Sequence, residues 1–325
     1  MKTISILIPT YNEEQNIAPF VYRAKELFQN ELKNYNYEIV IIDNCSTDST
    51  PGIIEGLCRE DKKVKAIFNV KNFGSLRSGF YGLIHTSGDC VVKIAADFQE
   101  PIETIPKMVK EWENGYPIVV GVKHKSKENK LKFMMRSAYY HVIKKYSSVE
   151  QIDQFTGFGL YDKSFIDVCR DLDDPYPYFR GIVAELGGKR KEVEYVQEKR
   201  RTGKSKYNWG ALYDYGMLGI TTYTKSFLRF ATILGFVIAA LSALIGIVCL
   251  ILKLVFWDRY IAGMAPLTIG VFLLNAVELF FIGLLGEYVI NINTRVLHRP
   301  LVVEEKRLNF DEDEAKVHKE NGQDA

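Results

Sequence analysis

The longest uncharged stretch of the 325-residue chain lies between Arg229 and Lys253, where 23 consecutive residues carry no charged side chain. A helix of this length, rising about 1.5 Å per residue, spans the roughly 30 Å hydrocarbon core of a bilayer. A second apolar stretch, from residue 265 to 290, contains only two charged side chains. A buried hairpin of soluble helices is the alternative, but it does not require so long an uncharged run. The sequence therefore predicts two transmembrane helices, at 230–253 and 265–290.

Basic residues flank the pair of apolar stretches on one side: Lys225 and Arg229 precede the first stretch, and Arg295 and Arg299 follow the second. Cytoplasmic flanks of membrane helices carry an excess of Lys and Arg, and two spans return the chain to its starting side. The sequence therefore predicts a multi-pass protein of the cytoplasmic membrane with both termini in the cytoplasm. We also expect such a helix pair to associate with further copies.

The expected domain layout follows from these flanks. It comprises a cytoplasmic domain at 1–206, juxtamembrane amphipathic helices at 207–228, the membrane helices within 229–294 and a cytoplasmic tail at 295–325. From Glu304 onward the tail holds eight acidic residues and four Lys or Arg residues. Such a charge run predicts a solvated, disordered end.

Net charge and cysteine content exclude several functional classes. The 42 Lys and Arg residues nearly balance the 40 Asp and Glu residues, so the composition gives no electrostatic case for a nucleic-acid partner. The five cysteines are odd in number and never form C-x-x-C. Neither a disulfide framework nor a thiolate zinc site is therefore expected.

The first 122 residues alternate between strand-like and helix-like patterns. The strand-like runs are Ile4–Ile8, Tyr37–Ile42, Val64–Phe68, Cys90–Ala95 and Ile118–Val122. This alternation predicts an α/β fold with a doubly wound, mostly parallel sheet, in which ligands bind beyond the carboxyl ends of the strands. The sequence has no G-x-G-x-x-G after the first strand and no P-loop motif. A nicotinamide site and a P-loop ATPase are therefore disfavoured.

Two oxygen-bearing side chains follow the fourth predicted strand. Asp97 and Gln99 alternate along the chain, so both can face the same side. Carboxylate and amide oxygens, together with substrate phosphate oxygens, suit a divalent cation. The D-x-Q pattern is weak by itself, and Asp97 as a helix-capping residue before Pro101 is the alternative. Its position at a strand end favours the metal site.

Several segments resemble a known enzyme family. IPTYNEEQNI, VIIDNCSTDST and KNFGSLRSGFYGLIHTSGDCVVKIAADFQEP are similar to family 2 inverting glycosyltransferases of the GT-A fold. KRRTGKSKYNWGALYDYGMLGITTYTKSFLR, the two apolar stretches and GEYV with a later HRP narrow the resemblance to polyprenyl-phosphate glycosyltransferases. That group is dolichol-phosphate mannose synthase-like and includes the bactoprenol glucosyltransferases. The resemblance covers residues 3–300.

The resemblance implies a reaction at the cytoplasmic membrane face. One sugar would move from a UDP- or GDP-linked nucleotide sugar to a polyprenyl phosphate, with undecaprenyl phosphate the expected acceptor, for cell-envelope glycan modification. Two alternatives stay open. One is transfer to another glycolipid, and the other is a non-catalytic, transferase-like membrane scaffold.

The resemblance also implies a set of site residues. The nucleotide-sugar pocket would be lined by Pro9, Tyr11, Glu13, Asp43 and Asp97. Mg²⁺ or Mn²⁺ would be held by Asp97 and Gln99 against the donor diphosphate. The positive charge around the diphosphate and the lipid phosphate would come from Lys123, Arg136, Arg200, Arg201, Lys204 and Lys206. The last four suit equally well a juxtamembrane cluster that attracts anionic lipid.

Three acidic positions of the family motifs are changed in this chain. The family's D-A-D-L-Q-D-P corresponds to AADFQEP from Ala95, so its first acid is absent. Its G-D-F-R-L corresponds to TGFGL, with Gly157 in place of an Asp that is treated as catalytic. The D-D after the second strand is Asp43-Asn44.

The expected chemistry tolerates the loss of a general base. A phosphate monoester has a second pKa of about 6 and is mostly dianionic at neutral pH, so it needs little help to attack. Asp153, four residues before Gly157, is a substitute catalytic candidate beside Asp97, with the role of orienting the acceptor. A loop-capping role for Asp153 is the equal alternative.

Overall fold

The computed structural model describes residues 1–125, 149, 152–172, 174–198, 216–219, 221–222, 225–255, 264–297 and 299–310. These residues fall into two compact units. One unit holds the described residues of 1–125, 152–198 and 299–310, and the other holds the two long helices together with residues 149, 216–219 and 221–222.

The first unit contains eight described strands in one sheet. They are β1 (Thr3–Thr10), β2 (Asn36–Asp43), β3 (Val64–Asn69), β4 (Cys90–Lys93), β5 (Ile118–Lys125), β6 (Phe155–Asp162), β7 (Arg190–Val196) and β8 (Glu304–Leu308). Its described helices are α1 (Ile17–Asn30), α2 (Thr50–Glu60), α3 (Ser75–Ile84), α4 (Ile105–Glu113), α5 (Lys163–Arg170) and α6 (Phe179–Leu186). The second unit contains α7 (Lys225–Val255) and α8 (Met264–Val296).

The strand order in the sheet is β7-β5-β6-β4-β1-β2-β3-β8. β1 pairs in parallel with β2 and β4, β2 with β3, and β5 with β7. β6 and β8 run antiparallel to their neighbours. The mostly parallel α/β sheet expected for a GT-A-type domain is therefore confirmed, and the five predicted strands all lie in it.

The sheet is buried on both faces. Ile4, Ile6 and Ile8 of β1 pack in one cluster with the apolar stripe of α1. Leu7 of β1 packs in a second cluster with Phe80 of α3. Because successive side chains of a strand point to opposite faces, β1 must be apolar on both faces to serve both layers. This explains its ISILI run, in which the one polar residue, Ser5, is buried and donates a hydrogen bond to the Glu38 carboxylate.

The predicted disorder of the chain from Glu304 is wrong for residues 304–310. Glu304–Leu308 forms β8, which pairs antiparallel with β3 at the edge of the sheet. The Asn309 amide donates hydrogen bonds to the carbonyls of Cys58 (2.7 Å) and Val64 (2.8 Å). An edge strand buries only part of its surface, so it accommodates charged side chains that composition alone associates with disorder. Residues 311–325 lie outside the described residues.

Both predicted apolar stretches are helical, and both helices are longer than predicted. Large apolar side chains along them are exposed, including Phe236 (73%), Ile245 (61%) and Phe280 (61%). Among the described residues, the segment Val277–Val296 is long and apolar enough to cross a membrane. Two membrane spans are not confirmed by this finding. The juxtamembrane helices predicted at 207–228 lie mostly outside the described residues.

Candidate active site

The ends of β1 and β2 are joined by a hydrogen-bond network around Asp43. This buried carboxylate, at the last position of β2, accepts hydrogen bonds from the backbone N–H of Ser46 (2.9 Å) and from the Ser46 hydroxyl. The same hydroxyl accepts a hydrogen bond from the backbone N–H of Asn12 (2.7 Å). Burial raises the pKa of Asp43, although the Ser46 hydrogen bonds oppose this effect. Asp43 therefore holds the loop after β2 against the loop after β1.

The other predicted nucleotide-pocket residues lie beside this network. Pro9 is within β1, and Tyr11 and Glu13 follow in the half-buried turn before α1. The Glu13 carboxylate accepts a hydrogen bond from the Asn16 side chain (2.6 Å), and its backbone N–H donates to the Thr50 hydroxyl (2.9 Å). The fold thus brings Pro9, Tyr11, Glu13 and Asp43 to one edge of the sheet. Their contact with a nucleotide remains a prediction.

Three asparagines after β2 and β3 form a cluster that sequence reasoning missed. The Asn44 amide donates to the Asn72 side chain (2.9 Å). Its oxygen accepts from the Asn69 amide (3.2 Å) and the backbone N–H of Phe73 (2.9 Å). An ionised aspartate at position 44 could accept but not donate, so the asparagine fits this cluster. The signal in the sequence was the recurrence of asparagine at two adjacent strand ends.

The loop after β4 carries the candidate metal-binding residues. Asp97 is buried, with 8% of its surface exposed, and its carboxylate accepts a hydrogen bond from the backbone N–H of Gln99 (3.2 Å). Phe98 between them has a positive φ of 57°. Asp97 and Gln99 thus lie in one tight turn, and their joint binding of a metal ion stays a prediction.

Glu100 is a site residue that sequence reasoning did not identify. Its carboxylate accepts hydrogen bonds from the backbone N–H of Ala95 (3.2 Å) and from the hydroxyl of Thr156 (2.9 Å). Burial raises the pKa of Glu100 to about 7, and the nearby charge of Asp97 adds to this effect. The loop after β4 is therefore tied to the start of β6.

Gly157 follows Thr156 and has φ of +101°, a backbone conformation that residues with a side chain rarely adopt. Among the described residues, a Cβ atom placed there would contact only the Phe179 ring, at 3.9 Å. Space is therefore available, and the backbone disfavours an aspartate at this position. The Thr156 hydroxyl, one residue before Gly157, donates a hydrogen bond to the Glu100 carboxylate of the loop after β4.

Four non-glycine residues with positive φ lie around the carboxyl ends of β1, β2 and β4. Asn12 (53°), Cys45 (63°) and Phe98 (57°) follow β1, β2 and β4, and Gln154 (56°) precedes β6. Because β6 runs antiparallel to β4, its first residue lies at the carboxyl end of β4. Strained backbone conformations concentrate at functional sites, so their distribution supports placing the site here.

Of the remaining predicted site residues, the structure describes only Asp153 and Lys123. Asp153 is exposed in the turn before β6, and Lys123 is half-buried near the end of β5. The Lys123 charge acts to lower the pKa of Glu100, so the two side chains are near each other. The other predicted basic residues lie outside the described residues: Arg136, Arg200, Arg201, Lys204 and Lys206.

A cleft of ≈ 440 Å³ opens beside the loop after β4, between α1 and residues 98–103. Four carboxylates line this cleft, those of Glu26, Glu100, Glu103 and Glu198. The Arg23 guanidinium at its wall already pairs with Glu26 (2.9 Å) and Glu103 (3.0 Å). None of the predicted nucleotide-pocket residues lines this cleft, so the strand ends remain the better candidate site.

Comparisons with known proteins agree with this architecture. Residues 5–169 match the profile described as Glycosyl transferase family 2. The chain is 34% identical over 298 residues to the bactoprenol glucosyl transferase of Shigella phage SfV, covering 91% of this chain and 96% of that protein. It is 31% identical over 303 residues to the uncharacterized glycosyltransferase YkcC of Bacillus subtilis (strain 168), covering 93% of each.

A further relative is the SfII prophage-derived bactoprenol glucosyl transferase of Shigella flexneri, 34% identical over 304 residues, which cover 93% of this chain and 97% of that protein. Among solved structures, the mannosyltransferase PcManGT from Pyrobaculum calidifontis, in complex with GDP-Man and Mn²⁺, is 15% identical with a TM-score of 0.47, covering 90% of this chain and 86% of that one. The chain is therefore a glycosyltransferase that belongs to glycosyl transferase family 2, in the group of the bactoprenol glucosyltransferases.

Proposed function

We propose that the chain transfers one sugar from a UDP- or GDP-linked nucleotide sugar to a polyprenyl phosphate, with undecaprenyl phosphate the expected acceptor. The reaction takes place at the cytoplasmic face of the cell membrane and serves modification of cell-envelope glycans. The observation that carries this proposal is that Asp43 ends β2 while Asp97 and Glu100 follow β4, so these acids lie at the carboxyl ends of the two parallel neighbours of β1. This arrangement occurs in a chain similar over nine-tenths of its length to bactoprenol glucosyl transferases.

The nucleotide part of the donor is assigned to the loops after β1 and β2. Tyr11, Glu13 and Asp43 lie there beside the polar cluster of Asn44. In parallel α/β sheets ligands bind at such strand ends. The tight hydrogen bonding among these loops supports a pocket whose shape exists before the ligand arrives.

The side chains after β4 fit Mg²⁺ or Mn²⁺. Among the described residues, no three His, Cys, Asp or Glu side chains converge to hold a metal ion without other ligands. Asp97 and Gln99 would supply one carboxylate and one amide oxygen, and the donor diphosphate and water would complete the set, as is common for Mg²⁺. When bound, the cation supplies positive charge that stabilises the leaving diphosphate.

The acceptor phosphate is the nucleophile of the proposed reaction. It is mostly dianionic at neutral pH because its second pKa is about 6, so the protein has to place it in line with the anomeric carbon and neutralise charge. Asp153 is the proposed acceptor-orienting residue. The neutralising charges are assigned to Lys123, Arg136, Arg200, Arg201, Lys204 and Lys206. Because these roles do not require an acid at position 157, they are compatible with Gly157.

The helices α7 and α8 are proposed to span the membrane as a pair and to keep both termini in the cytoplasm. Their exposed side chains, such as Phe236 and Phe280, would otherwise face water, and contiguous exposed apolar surface of this extent is rare in soluble monomers. The acceptor's phosphate lies at the bilayer surface, so an anchored domain meets it there. Association of helix pairs into an oligomer is part of the same proposal.

The reaction is tested with membranes containing the full chain, radiolabelled UDP- and GDP-sugars and undecaprenyl phosphate. We expect metal-dependent label in the lipid phase and its loss in Asp97→Ala. Transfer to a different added glycolipid, but not to undecaprenyl phosphate, would favour that alternative acceptor. No label from any donor would contradict the proposed reaction. Retention of full transfer in Asp153→Ala would remove the acceptor-orienting role of Asp153.

A further inference from the structure

Lys93 is the last residue of β4 and has no role in the site described so far. In the sheet it lies between Leu7 of β1 and Gly159 of β6. Its ammonium group is 4.5 Å from the centre of the Phe179 ring. A Cβ atom placed on Gly79 would lie 3.4 Å from the same nitrogen. The glycine in α3 therefore leaves space for this ammonium at the carboxyl edge of the sheet.

The Lys93 ammonium has no counter-ion in the part of the chain that the structure describes, because no carboxylate there lies within 4.0 Å of it. Two other poorly exposed lysines do have partners. Lys25 pairs with Asp61 (2.9 Å) and Lys65 with Glu38 (2.8 Å). A sheltered cation without an anion is costly, since it loses hydration without gaining an ion pair. Lys93 therefore differs from the lysines that stabilise the fold.

The surroundings of Lys93 disfavour its charged form. Burial lowers the pKa of Lys93 to about 8, the charge of Glu100 opposes that effect, and the charge of Arg180 adds to it. Arg180 follows Phe179 and donates a hydrogen bond to the carbonyl of Phe155 (3.3 Å). Two cations thus share the space between β4, the start of β6 and α6. An incoming anion would relieve both the repulsion and the lost hydration.

We propose that Lys93 binds a phosphate oxygen of a ligand. The ligand class rests on the proposed function, which offers two sources of this chemistry, the donor diphosphate and the phosphate of the lipid acceptor. Lys93 lies four residues before Asp97, at the end of the strand that leads into the candidate metal loop. A lysine acts there as a compact point charge that tolerates either phosphate geometry.

The test uses the full chain in detergent and measures binding of each ligand separately. Lys93→Met keeps an unbranched apolar chain near Phe179 but removes the charge, and Lys93→Arg keeps the charge. Lys25→Met is the matched control, because it removes a poorly exposed lysine that is paired away from the strand ends. One arm titrates UDP and GDP by calorimetry, and the other titrates undecaprenyl phosphate. Thermal melting of each variant checks that it is folded.

We expect Lys93→Met to weaken one arm by about tenfold or more, the size of a charge-assisted hydrogen bond, with recovery in Lys93→Arg. Loss confined to UDP and GDP identifies the donor diphosphate as the ligand, and loss confined to undecaprenyl phosphate identifies the acceptor. Unchanged affinity in both arms, in a folded Lys93→Met variant, would overturn the proposal. An equal loss in Lys25→Met would overturn it as well.

A pH series separates binding by charge from simple packing. The titratable or charged groups that face Lys93 are Glu100, Arg180 and Cys169. Above pH 7 the ligand phosphates are largely ionised, so we expect wild-type affinity to fall as the pH rises through about 8, where Lys93 loses its proton. Lys93→Arg should show a weaker fall, since arginine stays charged. Identical pH profiles for the two proteins would contradict the assignment.

The two proposals can fail separately. Sugar transfer that persists while Lys93→Met binds both ligands normally would reject the role of Lys93 and leave the proposed function in place. Lys93-dependent binding of a phosphate ligand without any sugar transfer would reject the proposed function and leave the role of Lys93 in place.

Discussion

The carboxylate of Glu100 accepts a 2.9 Å hydrogen bond from the hydroxyl of Thr156. Glu100 belongs to the loop after β4, next to Asp97 and Gln99, whereas Thr156 belongs to β6 and precedes Gly157. The contact therefore joins the candidate metal loop to the position at which the family motif has an aspartate. A comparison of motifs shows only that an acid is lost at 157. The structure shows that a carboxylate from the loop after β4 accepts a hydrogen bond from Thr156, the residue before that position.

Removing this hydrogen bond is expected to impair the enzyme without unfolding it. Thr156→Val leaves one oxygen of a half-buried carboxylate without its donor, which loosens the loop that carries Asp97. We expect turnover of sugar transfer to fall by about tenfold, with a smaller change in the KM for the nucleotide sugar. Steady-state kinetics of Thr156→Val and Thr156→Ser provide the measurement. Equal turnover in both variants would show that the hydroxyl is not needed.

Replacing glycine by alanine should change stability in opposite directions at Gly157 and at Gly56, because the two glycines have different backbone conformations. Gly157→Ala forces a side chain onto φ of +101°, which should lower the free energy of unfolding by about 1–2 kcal/mol. Gly56 lies inside α2 with no atom within 4 Å of an added Cβ, so Gly56→Ala should raise it by about 0.5–1 kcal/mol. Denaturant unfolding of the full chain in detergent compares them. A stabilising Gly157→Ala would refute the assigned backbone strain.

Glu38 links acid stability to a buried ion pair. Its carboxylate pairs with Lys65 (2.8 Å) and accepts hydrogen bonds from the backbone N–H (3.0 Å) and hydroxyl (2.7 Å) of Ser87. Burial would raise the pKa of Glu38, but these groups together with Ser5 hold it below its ordinary value. The resulting stability is present above the ordinary glutamate pKa of about 4.3 and is lost as the pH falls through the lowered pKa.

Glu38→Gln should therefore reduce the free energy of unfolding by about 3 kcal/mol at neutral pH, because it removes the buried ion pair with Lys65. The difference between variant and wild type should shrink as the pH drops below about 4. Unfolding measured across an acidic pH series checks both statements. A constant difference at all pH values would mean that ionisation of Glu38 contributes nothing.

The edge strand β8 predicts different effects for two truncations. A chain ending after Leu301 loses the pairing with β3 and the ion pair between Lys306 and Glu55 (2.5 Å). It should lose at least about 2 kcal/mol of stability, because several cross-strand hydrogen bonds disappear together. A chain ending after Phe310 keeps β8 and should melt like the full chain. Equal melting of both truncations would contradict a stabilising role for β8.

The predictable part of the fold is the part encoded by local patterns. The run Ile4–Ile8 and its four counterparts are mostly apolar because strands of a parallel sheet are covered on both faces. β7, with the sequence RKEVEYV, and β8, with EEKRL, were not predicted, because strands near a sheet edge tolerate charge and carry little hydrophobic signal. β8 also pairs with a strand far away in the chain, which periodicity does not report.

The candidate site divides in a similar way. Motifs placed Tyr11, Asp43 and Asp97 at strand ends, and strand ends of one parallel sheet meet at one edge. The AADFQEP motif placed Glu100 at a strand end as well but assigned it no role, and no motif pointed to Lys93. Their significance lies in what surrounds them, namely Gly79 and Phe179 for Lys93 and Thr156 for Glu100.

By itself, the sequence determined the two long apolar helices, the succession of strands and helices from β1 to β5, and the presence of acids at strand ends. These features follow from the spacing of apolar residues and from short motifs, both of which involve residues close together in the sequence. Only the tertiary structure decided that the carboxylate of Glu100 meets Thr156 and that the Lys93 ammonium lies over the Phe179 ring beside Gly79, without a counter-ion among the described residues. Such contacts join side chains from separate strands, so they depend on how the whole sheet pairs and packs.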